Sequence, residues 1–509
     1  MLLVILCLFN LYSHNPSFNV RLWDTKVHNI NGIEFWITNY GKLGPCYCPP
    51  GSGFNYMWGS GIWVGAIDSV IGDTLVTIGY GPSGGESEFA PGLYLQDPSA
   101  PYVIIYMYPQ PWPAPPETFP MAPQEPVSDQ DSWCCYNDCD SIYHTPNDTK
   151  PIGIEVYQTV YVWADSLPWD MIFLTFEIKN VMHKPIKDLY IGYCADIDIG
   201  NETAPYLNDI CSAIVGQWYV INGESIWVDN LAYQWETEPE PGWDESRCVI
   251  GIDLLQTPFD LQWGQDKDND GIPDQYERDS AYYVNNLPPD MWDVDNDGVP
   301  DWRDASENPQ MGMTAFKRFT LAIEPNKDNE RYLTLAGYNF QTGQYEPYDT
   351  IPSQPDDQRF LMASGPFELM PDSSVIIVLG IMITCWDTLD ARPDTAIVLA
   401  DRWAQLYYNL NWSLGISENR TTRQSFFDFS IRPTILQNHT KAFFSLRQPG
   451  NVTLKIYDPL GRCVKEVYSG YCPAGKRYID IDLQDLASGM YLLSLEKNKK
   501  QIIKKFIKL

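Results

Sequence analysis

Apolar and polar residues alternate along much of the chain, which is the pattern of half-buried β-strands. In the first third, this pattern predicts strands over residues 32–37, 61–67 and 73–78. The first strand is followed by a predicted turn at residues 39–41, and Gly72 joins the other two. Residues 109–126 hold eight prolines in eighteen positions, which predicts a stiff surface connection rather than a core element.

The same alternation continues through the middle of the chain. Strands are predicted over residues 155–163 and 171–180, on either side of a turn at 165–168, and residues 188–196 are expected to continue that sheet. Further strands are predicted over 332–336, 365–369 and 375–384. The last of these is almost wholly apolar and is therefore expected to be central.

One stretch, residues 393–410, has the period of a helix. Its apolar residues fall largely along one side, and Pro393 with Asp394 suits a helix N-terminus. The helix is expected to cover the end of a sheet. Those apolar residues are Ile397, Ala400, Ala404, Leu406 and Tyr407.

Composition supports a mainly β fold made of several β-sandwiches. The 509 residues include 14% aromatics, 40 prolines and 35 glycines, a mixture typical of sandwiches with long turns. The predicted segments are a signal peptide (1–17), an N-terminal β-rich domain (18–150), a β-sandwich (151–262), a calcium-binding segment (263–308), a β-rich domain with one helix (309–425) and a C-terminal domain (426–509).

The N-terminal signal rests on an apolar run, residues 2–9, that follows Met1 without a basic region. A buried first strand is the alternative. No later run reaches the roughly 18 apolar residues of a membrane span, so no transmembrane segment is expected.

Charge and cysteine content narrow the choice of partners. The net charge of −32 makes nucleic acid an unsuitable partner and favours divalent cations. In an exported protein, most of the eleven cysteines beyond Cys7 are expected to form disulfides. A zinc site is the alternative for the group Cys46, Cys48, Cys134, Cys135 and Cys139, although His144 is the only nearby imidazole.

The most specific chemistry lies in two acidic loops that start 27 residues apart, at Asp266 and Asp293. Each places carboxylates at positions 1, 3, 5, 9 and 12 of a loop with glycine at position 6 and a backbone carbonyl at position 7. This is the spacing that wraps Ca²⁺ in oxygens. The predicted ligands are Asp266, Asp268, Asp270, Ile272, Asp274 and Glu277 in the first loop, and Asp293, Asp295, Asp297, Val299, Asp301 and Asp304 in the second.

A proline at position 8 of each loop argues against a standard helix–loop–helix hand. The loops instead resemble thrombospondin type 3 repeats, over about forty residues. That resemblance implies calcium and an extracellular setting, without naming an activity. A solvated acidic loop is the alternative, but it leaves neighbouring carboxylates to repel one another.

Residues 196–209 are a further candidate for calcium binding, apart from the two loops. Asp196 and Asp198 are two apart on a predicted strand, so their side chains share a face, and Asp209 follows after a short loop. Acidic residues at a strand end that faces water are the alternative.

The C-terminal residues 426–509 contain the motifs K-I-Y-D-x-x-G-R and L-x-S-G-M-Y, followed by a basic and apolar strand at the end. These motifs resemble the type A sorting domain of the type IX secretion system. The resemblance implies a seven-stranded Ig-like sandwich, export across the outer membrane and the type IX machinery as a partner. An ordinary Ig-like module is the alternative. Cys463 and Cys472 are expected to face each other across a hairpin, where a local disulfide could form.

The central region resembles exported proteins of uncharacterised function. The resemblance rests on short sequence motifs at residues 34–41, 61–65, 196–200 and 365–371. No metalloprotease, nucleophile-elbow or P-loop motif is present. Exposed tryptophans could stack on sugars, although core packing is the more common role; the candidates are Trp58, Trp63, Trp112 and Trp133.

Two functions are consistent with these features. The first is a secreted or cell-surface calcium-binding protein with a structural or adhesive role, in contact with surface glycan or envelope components and without catalytic activity. The alternative is an exported hydrolase of polysaccharide or protein, which requires a cleft with paired carboxylates.

Overall fold

The computed structural model describes residues 23–68, 72–81, 87–144, 149–164, 170–200, 205–221, 224–237, 247–258, 310–386, 393–409, 427–432, 435–436, 439–446, 450–457, 463–473, 475–487, 489–497 and 500–508. The expected signal peptide, 1–17, and the expected calcium-binding segment, 263–308, lie outside these residues. The described part is mainly β, as the sequence predicts.

The first large sheet has nine strands. They are β1 (Thr25–His28), β2 (Glu34–Thr38), β3 (Leu43–Tyr47), β4 (Asn55–Met57), β5 (Gly59–Ile67), β6 (Thr74–Ile78), β12 (Ile186–Asp196), β16 (Ala315–Thr320) and β17 (Gln358–Leu369). Their order is β1–β2–β3–β5–β12–β17–β16, with β4 beside β3 and β6 beside β5. The predicted strands at 32–37, 61–67 and 73–78 correspond to β2, β5 and β6.

The second large sheet also has nine strands. They are β7 (Ala90–Pro91), β8 (Tyr106–Met107), β9 (Gln130–Asn137), β10 (Ile154–Val162), β11 (Asp170–Asn180), β13 (Asp209–Ile221), β14 (Glu224–Glu236), β15 (Arg247–Gln256) and β18 (Ser374–Trp386). Their order is β13–β14–β15–β18–β11–β10–β9–β7, with β8 beside β9. As predicted for an apolar strand, β18 is central.

Both sheets contain strands from segments 18–150, 151–262 and 309–425, so these three segments share one pair of sheets. One core lies between the sheets: Phe35 and Ile62 from the first sheet and Leu174 and Ile252 from the second are almost completely buried in it. We refer to these two sheets and their helices as the body.

Strand β12 lies in a different sheet from the one expected. Residues 188–196 were predicted to extend the sheet of β10 and β11, but β12 crosses to the first sheet and pairs with β5 and β17. The prediction was wrong because neighbours in sequence need not pair in space, and β11 instead pairs with β18.

Two helices cover the outer faces of the sheets. Helix α1 (Asp328–Leu335) packs on the first sheet, where Leu335 joins a buried cluster with Trp63 and Leu361. Helix α2 (Pro393–Asn409), predicted from its period, packs with Ile397 and Tyr407 on the second sheet. The body therefore has four layers in the order helix, sheet, sheet, helix.

The strand predicted at residues 332–336 is wrong, because these residues belong to α1. Tyr332 and Leu335 are buried on the side facing the sheet, a helical rather than an alternating spacing. The Glu330 carboxylate accepts hydrogen bonds from the Asn326 and Lys327 N–H groups at the helix start. Gly337, at φ +81°, follows the end of the helix, where glycine is favoured.

The proline-rich segment contributes a small core, contrary to the prediction of a surface connection alone. Phe119, Ala114 and Ala122 are buried against Trp133 and Tyr106. The prolines occupy positions between these apolar residues, so a segment without long strands still buries its aromatic and small side chains.

The C-terminal residues form two further sheets. One has β19 (Phe427–Arg432), β21 (His439–Leu446) and β24 (Gly475–Asp482), and the other has β20 (Ile435–Leu436), β22 (Gly450–Tyr457), β23 (Cys463–Cys472), β25 (Gly489–Lys497) and β26 (Lys500–Lys508). Phe444 from the first and Leu454 and Leu493 from the second share one core, as in a sandwich. The described strands number eight rather than seven, because the two-residue β20 is included.

Cys463 and Cys472 are the two ends of β23. A strand rises about 3.3 Å per residue, so these positions are far too distant for a bond across a hairpin, and the expected local disulfide is wrong. The expectation that most of the eleven cysteines pair is also wrong, although Cys248, which lies opposite Cys385 of β18, is disulfide-bonded. Eight cysteines among the described residues are free thiols: Cys46, Cys48, Cys134, Cys135, Cys139, Cys194, Cys211 and Cys472.

Candidate functional site

Three carboxylates converge where the first sheet meets the second. Asp196 ends β12, Asp198 follows two residues later, and Asp357 immediately precedes β17. One oxygen from each of the three lies within 4.8 Å of the others. We call Asp196, Asp198 and Asp357 the acidic cluster.

Pairing within the first sheet places Asp196 at the cluster. In the ladders of β12, Asp196 lies opposite Gly59 of β5 on one side and opposite Arg359 of β17 on the other. A side chain at position 59 would meet the Tyr80 ring at 2.3 Å, so glycine makes room for that ring. The Tyr80 hydroxyl donates a hydrogen bond of 2.5 Å to Asp196 Oδ2.

Arg359 is the nearest positive charge. Its Nε lies 3.2 Å from Asp196 Oδ1, and its Nη1 lies 2.8 Å from Asp357 Oδ1. The side chain is only 7% exposed, so water screens this interaction weakly. One guanidinium against three ionised carboxylates leaves an excess of two negative charges.

Asp198 does not form an ion pair with Arg359. Its Oδ1 is buried and has no hydrogen-bond partner. Burial, and then the charges of Asp196 and Asp357, raise the pKa of Asp198 to about 7. Burial also raises the pKa of Asp196 to about 6, although Arg359 and the Tyr80 hydroxyl oppose that shift.

The second sheet closes the site from the other side. Asp209, at the start of β13, is completely buried, and its Oδ2 accepts hydrogen bonds from Ile199 N (3.1 Å) and Gln234 Nε2 (3.0 Å). Gln234 Nε2 also donates to the Ile197 carbonyl at 2.7 Å. Asp209 Oδ1 has no hydrogen-bond partner, and burial raises the pKa of this carboxyl well above its usual range. The segment around Asp198 is thus held between the two sheets.

The structure confirms that Asp196 and Asp198 share one side of the chain, and it buries Asp196 and Asp209 instead of exposing them to water. The sequence pattern does not predict that Asp357, Arg359 and Tyr80 belong to this site. Asp357 and Arg359 lie about 160 positions beyond Asp196, and only the pairing of β12 with β17 brings them together. No local signal identifies such partners.

The twelve predicted calcium ligands from Asp266 to Asp304 lie outside the described residues. Among the residues that the structure does describe, the acidic cluster is the group whose oxygens converge as metal ligands do. The cysteines proposed for zinc do not converge in this way within the same part of the chain.

A histidine and a serine meet in the body, but their surroundings do not suit catalysis. His28 Nε2 lies 2.8 Å from Ser132 Oγ, and both residues are at most 1% exposed. Burial lowers the pKa of His28 to about 3, so the imidazole resists taking a proton near neutral pH. A substrate cannot reach this pair in the folded protein.

The tryptophans considered for sugar stacking separate into two groups. Trp63 and Trp133 are buried in the core, which confirms the packing alternative for them. Trp112 packs against the small core of the proline-rich segment. Trp58 is 60% exposed.

Comparison with known proteins identifies the C-terminal part. Residues 438–509 match the family described as the secretion system C-terminal sorting domain. The chain thus ends in a type IX sorting domain, which marks proteins secreted to the cell surface or the extracellular space and handled by the type IX machinery.

No curated protein matches the chain in sequence. Among solved structures, a polysaccharide lyase is similar at 7% identity and a TM-score of 0.27, over 94% of this chain and 46% of that one. The chain therefore spans about half the length of that lyase. Within the described residues, no helix combines the length and apolarity that crossing a membrane requires.

Proposed function

We propose that the chain is a calcium-binding protein of the outer cell surface with a structural or adhesive role. The observation that carries this proposal is the repeated D-x-D-x-D-G loop at Asp266 and Asp293 in a chain that ends in a sorting domain. Ca²⁺ is abundant outside the cell, and loops of this spacing bind it through six to eight oxygens.

The two features support each other. Six carboxylates at positions 1, 3 and 5 of the two loops repel one another in the absence of a cation. Calcium removes that repulsion and orders the backbone, so an exported linker becomes stiff only where the ion is present. A stiff, strand-rich protein at the cell surface suits contact with glycan or envelope components.

The experiment is a calcium titration of the full-length protein by calorimetry. Wild-type protein should bind Ca²⁺ at the loops with a dissociation constant of about 10⁻³ M or tighter, the range of extracellular modules. Asp270→Ala should remove the first loop site, and adding Asp297→Ala should remove the second. Asp372→Asn, an exposed turn residue, is the control and should bind as wild type does.

The proposal is wrong if the double variant Asp270→Ala/Asp297→Ala binds as many calcium ions as the wild-type protein. The hydrolase alternative predicts a different result: turnover of a glycan or peptide substrate that a single carboxylate substitution abolishes while calcium binding is kept.

A further inference from the structure

We propose that the acidic cluster of Asp196, Asp198 and Asp357 binds one hard divalent cation at the junction of the two sheets of the body. Its ligands are not among the calcium ligands predicted within residues 263–308, and the site goes beyond the function proposed above. It uses three carboxylates that the fold collects from two distant segments of the chain.

The donors suit a calcium-sized ion. One oxygen from each carboxylate lies within 4.8 Å of the others, about twice the 2.3–2.6 Å at which oxygen binds Ca²⁺. Three ligands can therefore surround one ion without a large movement of the backbone. Oxygen-only donors select hard cations over zinc or copper.

Charge balance points the same way. With Asp196, Asp198 and Asp357 ionised, Arg359 leaves an excess of two negative charges, which one divalent cation neutralises. Arg359 is already engaged with Asp196 and Asp357. Asp198 is the carboxylate left over, and its buried Oδ1 accepts no hydrogen bond. An ionised carboxylate in this position needs a counter-ion.

A second, independent observation comes from Asp209, which is not a member of the cluster. Asp209 is 0% exposed, and its Oδ1 also lacks a hydrogen-bond partner. Its carboxylate accepts a hydrogen bond from the N–H of Ile199, the residue next to Asp198. Two buried carboxyl oxygens without a donor therefore lie at one short segment between the sheets.

The competing explanation is that Asp198 is protonated and that Arg359 alone compensates the remaining carboxylates. The two explanations predict different effects for Asp198→Asn. If a cation is bound, the variant loses calcium-dependent stability, and in chelator it is more stable than the wild-type protein because a buried like charge has been removed. If Asp198 is protonated and no cation binds, Ca²⁺ does not change the stability of the body through this site, with or without the substitution.

Thermal unfolding of full-length protein, followed by tryptophan fluorescence, separates these cases. All 18 tryptophans precede residue 427, so the signal does not arise from the sorting domain. The background is Asp270→Ala/Asp297→Ala, which removes loop binding. In this background, Ca²⁺ should raise the midpoint by a few degrees relative to EDTA. Adding Asp198→Asn should abolish that shift, whereas the control Asp372→Asn should keep it.

Terbium provides a second readout that does not depend on stability. Tb³⁺ occupies calcium sites, and the Tyr80 hydroxyl lies 2.5 Å from Asp196 Oδ2, so excitation of tyrosine should sensitise its emission. Asp357→Asn, a change on the second segment that contributes to the cluster, should remove this emission in the loop-variant background even if Asp198→Asn fails to fold.

The proposal is overturned if Ca²⁺ leaves the midpoint of the loop-variant background unchanged, or if the shift and the terbium emission survive Asp198→Asn and Asp357→Asn. If the double loop variant binds as many calcium ions as the wild-type protein while the cluster shift depends on Asp198, the proposed function alone is contradicted, so the two failures are distinguishable.

Discussion

Two groups of buried carboxyls in this protein are compensated in different ways. In the acidic cluster, Arg359 and a proposed cation offset the charges. The carboxyls of Asp253 of β15 and Asp401 of α2 are instead hydrogen-bonded to each other and are at most 4% exposed, with Asp229 of β14 as a further negative charge. Burial and the neighbouring carboxylates raise the pKa of Asp253 well above its usual range, so this pair shares a proton.

We therefore expect the body to lose stability as the pH rises from about 4, the pKa of an unfolded Asp, through about 7, the folded pKa of Asp401, in saturating Ca²⁺. A carboxyl whose pKa is raised on folding holds a proton that the unfolded chain has released. Its contribution is present below the unfolded pKa and is lost as the pH rises through the folded value. Asp253→Asn keeps a hydrogen-bond donor but cannot ionise. The free energy of unfolding of this variant should therefore depend less steeply on pH, as measured by denaturant titrations followed by tryptophan fluorescence.

The matched control is Asp372→Asn, which makes the same substitution at an exposed carboxyl. The free energy of unfolding of this control should depend on pH as it does in the wild-type protein. Identical slopes for Asp253→Asn and the wild-type protein would show that the buried pair does not set the pH dependence.

At the scale of single elements, the sequence predicts a helix or strand correctly where its buried residues recur with a simple period. The apolar stretch of β18 and the one-sided pattern of α2 were both predicted and both observed. Helix α1 escaped prediction because it has only eight residues, too few for its period to stand out from alternation. Formation of α1 depends on the hydrogen bonds that the Glu330 carboxylate accepts at the helix N-terminus and on the groove of the sheet into which Leu335 packs. The groove is formed by distant strands, so the local sequence pattern does not reveal it.

That dependence gives a test on α1. Leu335 is completely buried, and Gly65 and Gly192 leave space for it, because a side chain at either position would lie within 3 Å of Leu335. Leu335→Ala should lower the free energy of unfolding by about 2–5 kcal/mol, the range for a buried leucine. Leu333→Ala, on the same helix but only half-buried, should cost clearly less. Equal losses in chemical denaturation would contradict this packing.

At the scale of the whole molecule, pairing between distant segments decides the fold and the site. The mainly β composition and the sorting domain were predictable, because composition and local motifs carry them. The pairing of β5 with β12 and of β11 with β18 was not, since no local signal specifies which strands meet. The same limit explains why Asp196 and Asp198 were identified while Asp357 and Arg359 were missed.

Export is a property of the sorting domain, and we expect it to depend on the last strand. In the five-stranded sheet, β26 lies between β20 and β25, so its removal exposes two strands at once. A truncation that removes residues 498–509 should leave the protein in the periplasm of a host with the type IX machinery. Fractionation and surface proteolysis measure this, and export of the truncated protein at the wild-type level would contradict it.

We also expect the purified protein to show no turnover on a panel of glycan, ester and peptide substrates in Ca²⁺. The His28–Ser132 pair, which most resembles catalytic residues in the described part of the chain, is buried and cannot reach a substrate. Turnover that a single carboxylate or serine substitution abolishes would favour the hydrolase over the structural or adhesive role.

The central claim is that this exported protein binds calcium at two loops and at the junction of its sheets. Native mass spectrometry of the full-length protein, exchanged from Ca²⁺ into a volatile buffer, counts the ions directly. The account predicts at least three calcium ions on the wild-type protein, two fewer in Asp270→Ala/Asp297→Ala, and one fewer in Asp198→Asn. A wild-type protein that carries no calcium, or a count that none of these substitutions changes, would contradict it.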